Sequence, residues 1–383
     1  MSTVLLALVL LAAGLLAHLL LADARRVPRH VRPSERAATV SVIVPARNES
    51  ATLPELLASL RSLTMSPREI LVVDDSSDDG TSDVARAGGA TVIPATAPPP
   101  GWTGKAWACH QGVAAASGST LLFLDADTTL EPDALDGLLS ILDREGGLVS
   151  VQPSHRAVRA YEQLSAYFNV MSLLASGAFA RRRPRHPMAF GPVLLTSRED
   201  YRRAGGHSVV RAEILDDARL AAAYDRAGRP VRCLLGGRAI RMRMYPGGPR
   251  QLVEGWTKNI ASGAAAADRW SSIAAALWVA SHWAVTVGAV LSVLSLTKGG
   301  EVPMVQGHPA LYAVAWVGVT LQLRAMLRRV GSFRWWTWAL FPVPLLAFSL
   351  LFARSVLLTS VRREVTWRGR PVTTRHTSRR QVP

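Results

Sequence analysis

Leu121–Leu130 reads LLFLDADTTL. Four apolar residues lead straight into Asp125, Ala126 and Asp127. A short unbroken apolar run bounded by polar residues reads as a buried strand. Packing alone gives such a strand no reason to end in two carboxylates one residue apart. A second strand ends in the same way: ILVVDDSSDDGT (Ile70–Thr81) closes on Asp74 and Asp75. A third, SVIVPARNES (Ser41–Ser50), is broken at Pro45 and followed by polar residues that reach toward a base. In open α/β sheets, ligands bind beyond the carboxyl ends of the strands. Carboxylates gathered at one edge repel each other unless something positive or hydrogen-bonding lies between them. A hard divalent cation, with oxygen ligands from carboxylate and diphosphate, resolves that repulsion. These residues therefore predict a cation at the sheet edge that in turn holds a nucleotide diphosphate.

Working outward, strands and helices alternate. TVSVIVP (Thr39–Pro45), EILVVDD (Glu69–Asp75), ATVIPA (Ala90–Ala95) and TLLFLDAD (Thr120–Asp127) read as strands. Between them, Leu53, Leu56, Leu57, Leu60 and Leu63 fall at helical spacing. DDGTSDVARAGGA (Asp78–Ala90) opens with turn and capping residues, and Asp78 and Asp79 read as caps. KAWACHQGVAAASG (Lys105–Gly118) reads as a further helix. This alternation predicts an α/β domain with a largely parallel sheet and helices on both faces. Neither a Walker glycine loop nor G-x-G-x-x-G occurs, so P-loop and dinucleotide readings lack support. Cys109 and Cys233, the two cysteines of the chain, provide no disulfide framework.

The 383 residues carry a formal net charge of +16 together with a mean hydropathy of +0.17. Basic flanks beside apolar segments explain that combination. A nucleic-acid role lacks a motif and is not expected. Val4–Ala22 is almost wholly apolar and long enough to span a bilayer. A cleaved leader is the alternative, given Ala22-Asp23-Ala24, but the basic region that precedes a leader core is missing. Arg25, Arg26, Arg29, Arg32 and Arg36 follow the segment, which places the next domain in the cytoplasm. Ile273–Leu296 and Trp335–Leu358, the latter with Trp335, Trp336 and Trp338, are further spans, and Ala310–Leu323 is a shorter one ending at Arg324. Pro342 and Pro344 allow the last segment to turn back as a re-entrant hairpin. Tyr161–Ala180 is apolar but stippled with polar residues, and reads as a helix on the bilayer surface beside Arg181, Arg182, Arg183 and Arg185; a core helix is the alternative. The expected organisation is a membrane helix and basic stem (1–36), a catalytic domain (37–258), an interfacial helix and membrane region (259–358) and a basic tail (359–383).

VSVIVPARNES, VVDDSSDDGT and LFLDADT resemble family 2 glycosyltransferases of the GT-A fold. PGWTGKAWACHQG (Pro100–Gly112), GGHSVVRAEILDDARLA (Gly205–Ala221) and MYPGGPRQLVEGWTKN (Met244–Asn259) are similar to a membrane-bound branch. That branch includes the carotenoid-acid (diaponeurosporenoate) glucosyltransferases and the hopanoid-associated glycosyltransferases. The motifs span about residues 39 to 265. The resemblance implies that Pro45, Asn48 and Glu49 contact the nucleotide and that Asp75, with Asp74 beside it, contacts uracil. Lys105 would approach uracil or diphosphate, Asp125 ribose or the metal, and Asp127 the metal, Mg2+ or Mn2+. Asp217 matches the catalytic base, with Asp216 where the branch often has Glu. His207 is a candidate for orienting the acceptor. QLVEGW resembles the Q-x-x-R-W element that serves acceptor and diphosphate, keeping Gln251 and Trp256 but placing Glu254 and Gly255 where the Arg falls. Bland readings stand beside these: Asp217 as an ion-pair partner of Arg211 or Arg219, and Lys105 as a solvated lysine at a helix start.

The implied activity is inverting transfer of a hexose, glucose from UDP-glucose, to a lipid acceptor such as a carotenoid acid or other polyisoprenoid. It would take place at the cytoplasmic face of the cell membrane, with membrane lipids as partners and the chain as a multi-pass protein. A processive polysaccharide synthase is the enzymatic alternative, and the altered Q-x-x-R-W element argues against it. A non-catalytic membrane scaffold is the alternative from another class; it predicts loss of Asp127 or Asp217, and both are present.

Overall fold

The computed structural model describes residues 3–182, 187–211, 216–298, 308–362, 364–367 and 370–373. Arg183, Arg185, Arg363, Arg368 and the end of the basic tail lie outside the described residues.

Seven strands form the central sheet: β1 (Val40–Ala46), β2 (Glu69–Asp74), β3 (Thr91–Pro94), β4 (Thr120–Leu124), β6 (Leu148–Gln152), β8 (Val193–Ser197) and β9 (Val231–Leu235). Their order across the sheet is β3-β2-β1-β4-β8-β6-β9. The strands β5 (Thr128–Leu130), β7 (Ser154–His155) and β10 (Ile240–Met242) make a small second sheet in the order β5-β10-β7. Near the C-terminus, β11 (Glu364–Trp367) and β12 (Arg370–Thr373) pair as a hairpin.

The expected largely parallel sheet is found with one strand reversed: β8 runs antiparallel to both β4 and β6. The cause is the path of the chain. It leaves β6 toward the helical side of the molecule and returns from that side through Gly191 and Pro192 into β8. A connection that starts and ends at one end of a sheet gives antiparallel neighbours.

Alternate residues of each strand face opposite layers. Val42 and Val44 of β1, with Leu122 and Leu124 of β4, pack in one core with α2 (Leu53–Arg61) and α5 (Ala134–Glu145). Ile43, Leu121 and Phe123 pack in the other with α4 (Gly104–Ala115), α7 (Arg198–Arg203) and α8 (Asp216–Arg226). The short helix α3 (Thr81–Ala87) follows β2. Both faces being covered, the β4 stretch Thr120–Leu124 is buried at all five positions and needs no polar alternation.

A third core joins α1 (Thr3–Leu20), α6 (Ala166–Ser176), α9 (Pro249–Ala266), α10 (Arg269–Lys298), α11 (Pro309–Val330) and α13 (Pro342–Arg362). Among the described residues, two helices, at Arg269–Thr297 and Pro309–Val330, are long and apolar enough to cross a membrane. The N-terminal segment expected as a span is shorter: its apolar helix is Val4–Leu20. It packs alongside α11, where Gln322 Nε2 donates to Gly14 O at 2.7 Å.

Three expectations change here. The segment expected to stop at Arg324 continues as helix to Val330, with the Arg324 guanidinium 5.3 Å from the Trp338 ring. Trp335–Leu358 is not one helix; α12 (Trp335–Ala339) ends before Pro342, which opens α13. The Tyr161–Ala180 segment does not lie on a surface: Tyr167, Phe168, Val170, Leu173 and Leu174 of α6 are each 2% exposed or less. Its scattered polar residues find partners inside the protein, so the core-helix alternative holds.

Candidate active site

The carboxyl end of β4 is shaped by backbone bonds. Asp125 N donates to Pro192 O, and Thr128 N and Oγ1 both donate to Asp125 O. This turn sets Asp125 and Asp127 in different surroundings. Asp125 is partly exposed and its Oδ1 lies 2.7 Å from Lys105 Nζ, on the first turn of α4. Asp127 has an Oδ1 sealed from solvent with no hydrogen-bond partner. Burial first, then repulsion from Asp125 and Glu49, pushes its carboxyl up to about 7, with Lys105 pulling the other way.

A buried orphan carboxylate oxygen beside a second carboxylate is what a cation would relieve. Among the described residues, no three His, Cys, Asp or Glu side chains come together to hold an ion. A hard cation held by Asp125 or Asp127 would have to take most of its shell from oxygens of a bound ligand.

One narrow pocket of about 10 Å³ is lined by Pro45, Lys105, Asp125, Gly191, His207 and Asp217 among others. Asp217 stands at the start of α8, where the helix dipole favours an anion. Its Oδ2 accepts the Gly191 N–H at 2.9 Å. A Cβ added at Gly191 would lie 3.2 Å from Asp217 Oδ2 and 3.5 Å from Lys105 Nζ, so a bare backbone suits this contact. His207 is buried, and burial, then Lys105 and His110, lower its pKa to about 3; the ring is neutral. The Tyr201 hydroxyl accepts the His207 backbone N–H at 2.9 Å and lies 2.8 Å from Nδ1. With Tyr201 donating its own proton to Nδ1, Nε2 carries the imidazole hydrogen.

A second cleft of about 60 Å³ is lined by Thr52, Glu55, Asp127, Thr128, Arg243 and Pro246 among others. The ridge Asp125-Ala126-Asp127 thus has one acid on each side.

A model of the family described as Glycosyl transferase family 2 matches residues 41–203. The 4,4'-diaponeurosporenoate glycosyltransferase of Staphylococcus aureus (strain USA300) is 36% identical over 339 residues, which is 86% of this chain and 87% of that protein. The chain belongs to glycosyltransferase family 2. The same enzyme from strain MRSA252 is 34% identical over the same length. Among solved structures, the mannosyltransferase PcManGT from Pyrobaculum calidifontis, in complex with GDP-Man and Mn2+, has a TM-score of 0.50 at 20% identity. It covers 91% of this chain and 98% of its own, and the likeness is one of fold: a GT-A-like mixed α/β sheet.

The glycosyltransferase brings Pro45, Lys105, Asp125, His207 and Asp217 to one pocket and Asp127 to the next. Asp75 is buried beside the start of α4, where a Cβ on Gly104 would come within 2.5 Å of its Oδ2. Arg47 Nη1 lies 3.5 Å from the same carboxylate. Other residues hold the loops. Asp74 Oδ1 accepts the Ser77 N–H and its Oδ2 accepts from Ser82. Asn48, at φ 54°, accepts the Asp78 N–H on Oδ1. Glu49 accepts from Thr52 Oγ1 at 2.7 Å. Asp216 opens α8, and its side chain lies outside the described residues.

Gln251 is exposed on α9 and accepts the Gly247 N–H at 2.7 Å. Trp256 is buried, stacked on Phe168 at 4.6 Å, with Nε1 donating to Ser165 Oγ at 3.0 Å. Gly255, one of the two residues standing where the Q-x-x-R-W arginine falls, has no room for a side chain: a Cβ there would lie 2.1 Å from Tyr245 Cε1, while Glu254 is exposed and pairs with Arg250. The sequence reading missed Gly191, Tyr201, Arg243 and Glu162. Tyr201 is six residues before His207 but carries no motif, and Glu162 sits in the stippled helix whose polar residues were read as surface.

Proposed function

We propose that this glycosyltransferase moves a hexose, glucose from UDP-glucose, with inversion onto a lipid acceptor, a carotenoid acid or another polyisoprenoid. The observation that carries the reading is Asp217 lining one pocket with Asp125 and Lys105. An acid placed there can meet an acceptor opposite a leaving diphosphate. In the reaction, an acceptor oxygen attacks the anomeric carbon, the bond from that carbon to the diphosphate oxygen breaks, and the configuration inverts. Asp217 takes the proton of a hydroxyl acceptor. A carboxylic acid acceptor arrives ionised, and Asp217 then serves mainly to orient. Asp127 and Asp125 would hold Mg2+ or Mn2+, which neutralises charge on the leaving group when bound. His207 lines the same pocket as a neutral ring that can meet the acceptor, and Lys105 moves from Asp125 to diphosphate oxygens as the donor enters.

A lipid acceptor is supported by the apolar helices of the third core. Leu11, Leu296 and Val314 are 71%, 73% and 71% exposed, and exposed apolar faces of this kind suit a bilayer. The related staphylococcal protein is named for a carotenoid acid. With α1, α10, α11 and α13 in the membrane and basic residues flanking them, the catalytic domain faces the cytoplasm. The test is release of UDP from UDP-glucose by membranes holding the protein, with Mn2+ or Mg2+ and a carotenoid acid, followed by mass spectrometry of the lipid. Glycosyl ester formation that stops on EDTA treatment is expected. Undiminished turnover in EDTA, or no UDP release with any lipid acid or alcohol, overturns the reading.

A further inference from the structure

Two groups of opposite charge line the second cleft without satisfying each other. Asp127 Oδ1 and Arg243 Nε are both sealed from solvent and lack a hydrogen-bond partner. Arg243 follows β10, and its backbone N–H donates to Asp127 O at 3.3 Å. Its side chain is turned to Glu162 instead of to the Asp127 carboxylate: Nη2 donates to Glu162 Oε1 at 2.9 Å.

Glu162 is 4% exposed. Burial alone would raise its pKa, but bonds from Arg243 and from the Val158 and Arg159 backbone N–H groups hold it below the usual carboxylate range. With Arg243 29% exposed the pair is half-buried, and the desolvation of Glu162 offsets much of its attraction. A buried donor left unpaired costs about 1–3 kcal/mol more. The arrangement therefore costs stability, and what it yields is a guanidinium held by Glu162 at the lining of the second cleft.

A ligand that satisfies both orphans must present a cation to Asp127 and anionic oxygens to Arg243. A metal-bound diphosphate does both. We propose that Arg243 binds the phosphate oxygens of the donor's diphosphate, and that Glu162 is the positioning residue that aims it. This rests on the reading of Asp125 and Asp127 as the seat of a nucleotide-sugar donor. It also accounts for the glycine at position 255. Tyr245 occupies the space an arginine side chain would need there, and the cation comes from the same loop two residues earlier.

The experiment is calorimetric titration of full-length protein in detergent with UDP and with UMP, each with Mn2+, for the wild type, Arg243→Gln, Arg243→Lys and Glu162→Gln. Arg243→Gln is expected to weaken UDP about thirtyfold and UMP less than about threefold. Glu162→Gln keeps the guanidinium but loses its anchor, and is expected to weaken UDP about tenfold with KM rising more than kcat falls. If Arg243→Gln does not fold, Arg243→Lys keeps a charge beside Glu162 and must still lower the UDP-to-UMP selectivity about fivefold. An unchanged selectivity in a folded Arg243 variant of a wild type that binds UDP overturns the assignment and leaves the donor-site reading standing. A wild type that binds neither UDP nor GDP with Mn2+ takes both down.

Discussion

The two walls of the cleft around Asp125-Ala126-Asp127 hold their cations in opposite ways. On one wall Lys105 reaches Asp125 from the first turn of α4, and the pair is 42% and 30% exposed. A pair so open is worth about 0–1 kcal/mol and can be exchanged for another partner. On the other wall Arg243 is tied to a glutamate that is 4% exposed. Arg243 itself is 29% exposed, but with its partner buried the pair is harder to exchange than an open one, so this cation is the better anchored of the two. The contrast suggests a division of work. The group that must move aside as donor enters sits in water, and the group that must not move is anchored in the protein.

The harshest way to break that contrast is Asp127→Asn. It removes a charge from the second wall and leaves the Lys105–Asp125 pair in place. Turnover with Mn2+ is expected to fall about a thousandfold, because the developing charge on the leaving group loses its counterion. A kinetic assay at saturating UDP-glucose reads this, and a loss below about tenfold would mean that Asp127 holds no metal in catalysis.

Asp217→Asn tests the first wall and depends on the acceptor. With an alcohol acceptor, loss of the base is expected to cost about a hundredfold or more. With a carboxylic acid acceptor no proton has to leave, and the loss should shrink to about tenfold. Equal losses with both acceptors would show that Asp217 does something other than take a proton.

A buried neutral histidine stands behind each wall, and both make the fold sensitive to acid. His207 lies in the first wall, with its pKa lowered to about 3 by burial, then by Lys105 and His110. His155 pairs through β7 with β10, the strand that leads to Arg243, and burial lowers its pKa to about 4. In the unfolded chain each titrates near 6.5. Below that pH the unfolded state binds the extra proton, so this stability is full above 6.5 and is lost as pH falls toward 4 and 3. Each site is expected to contribute a limiting slope of about 1.4 kcal/mol per pH unit below pH 6. Denaturation midpoints between pH 8 and 4.5 measure it, and His207→Gln should flatten the acid limb. An acid limb as steep in the variant would mean that His207 is not held neutral.

The walls also divide what could be read from sequence. The β4 edge was legible because apolar strands ending in Asp125–Asp127, Asp74–Asp75 and Pro45 give a local signal. Yet Asp74 and Asn48 spend their side chains on the turns that shape the loops, and composition does not tell a loop-holding carboxylate from a ligand-holding one. The second wall was not legible. Arg243 and Glu162 are 81 residues apart and meet only through folding. Glu162 lies in a segment whose polar residues suggested a surface, and only tertiary burial shows that they face inward. The reversal of β8 was hidden for a similar reason: strand direction depends on where the chain returns from, and the intervening helix was placed on the bilayer.

The smallest effect is expected at Gln251, and it sharpens the comparison because the Q-x-x-R-W resemblance gives this residue a share in the site. In the fold it is exposed, and its side-chain oxygen accepts the Gly247 N–H at 2.7 Å. Water can replace that bond, so Gln251→Ala should change stability by no more than about 0.5 kcal/mol and turnover by less than about threefold. Trp256, five residues along the same helix, is 6% exposed and donates to Ser165. Trp256→Phe loses that bond inside a closed core, which water cannot repair, and should lower the denaturation midpoint more than Gln251→Ala does. If Gln251→Ala instead cut turnover tenfold while stability held, the exposed residue would have to touch substrate. The first turn of α9 would then belong to the acceptor path, and the second wall would extend beyond Arg243.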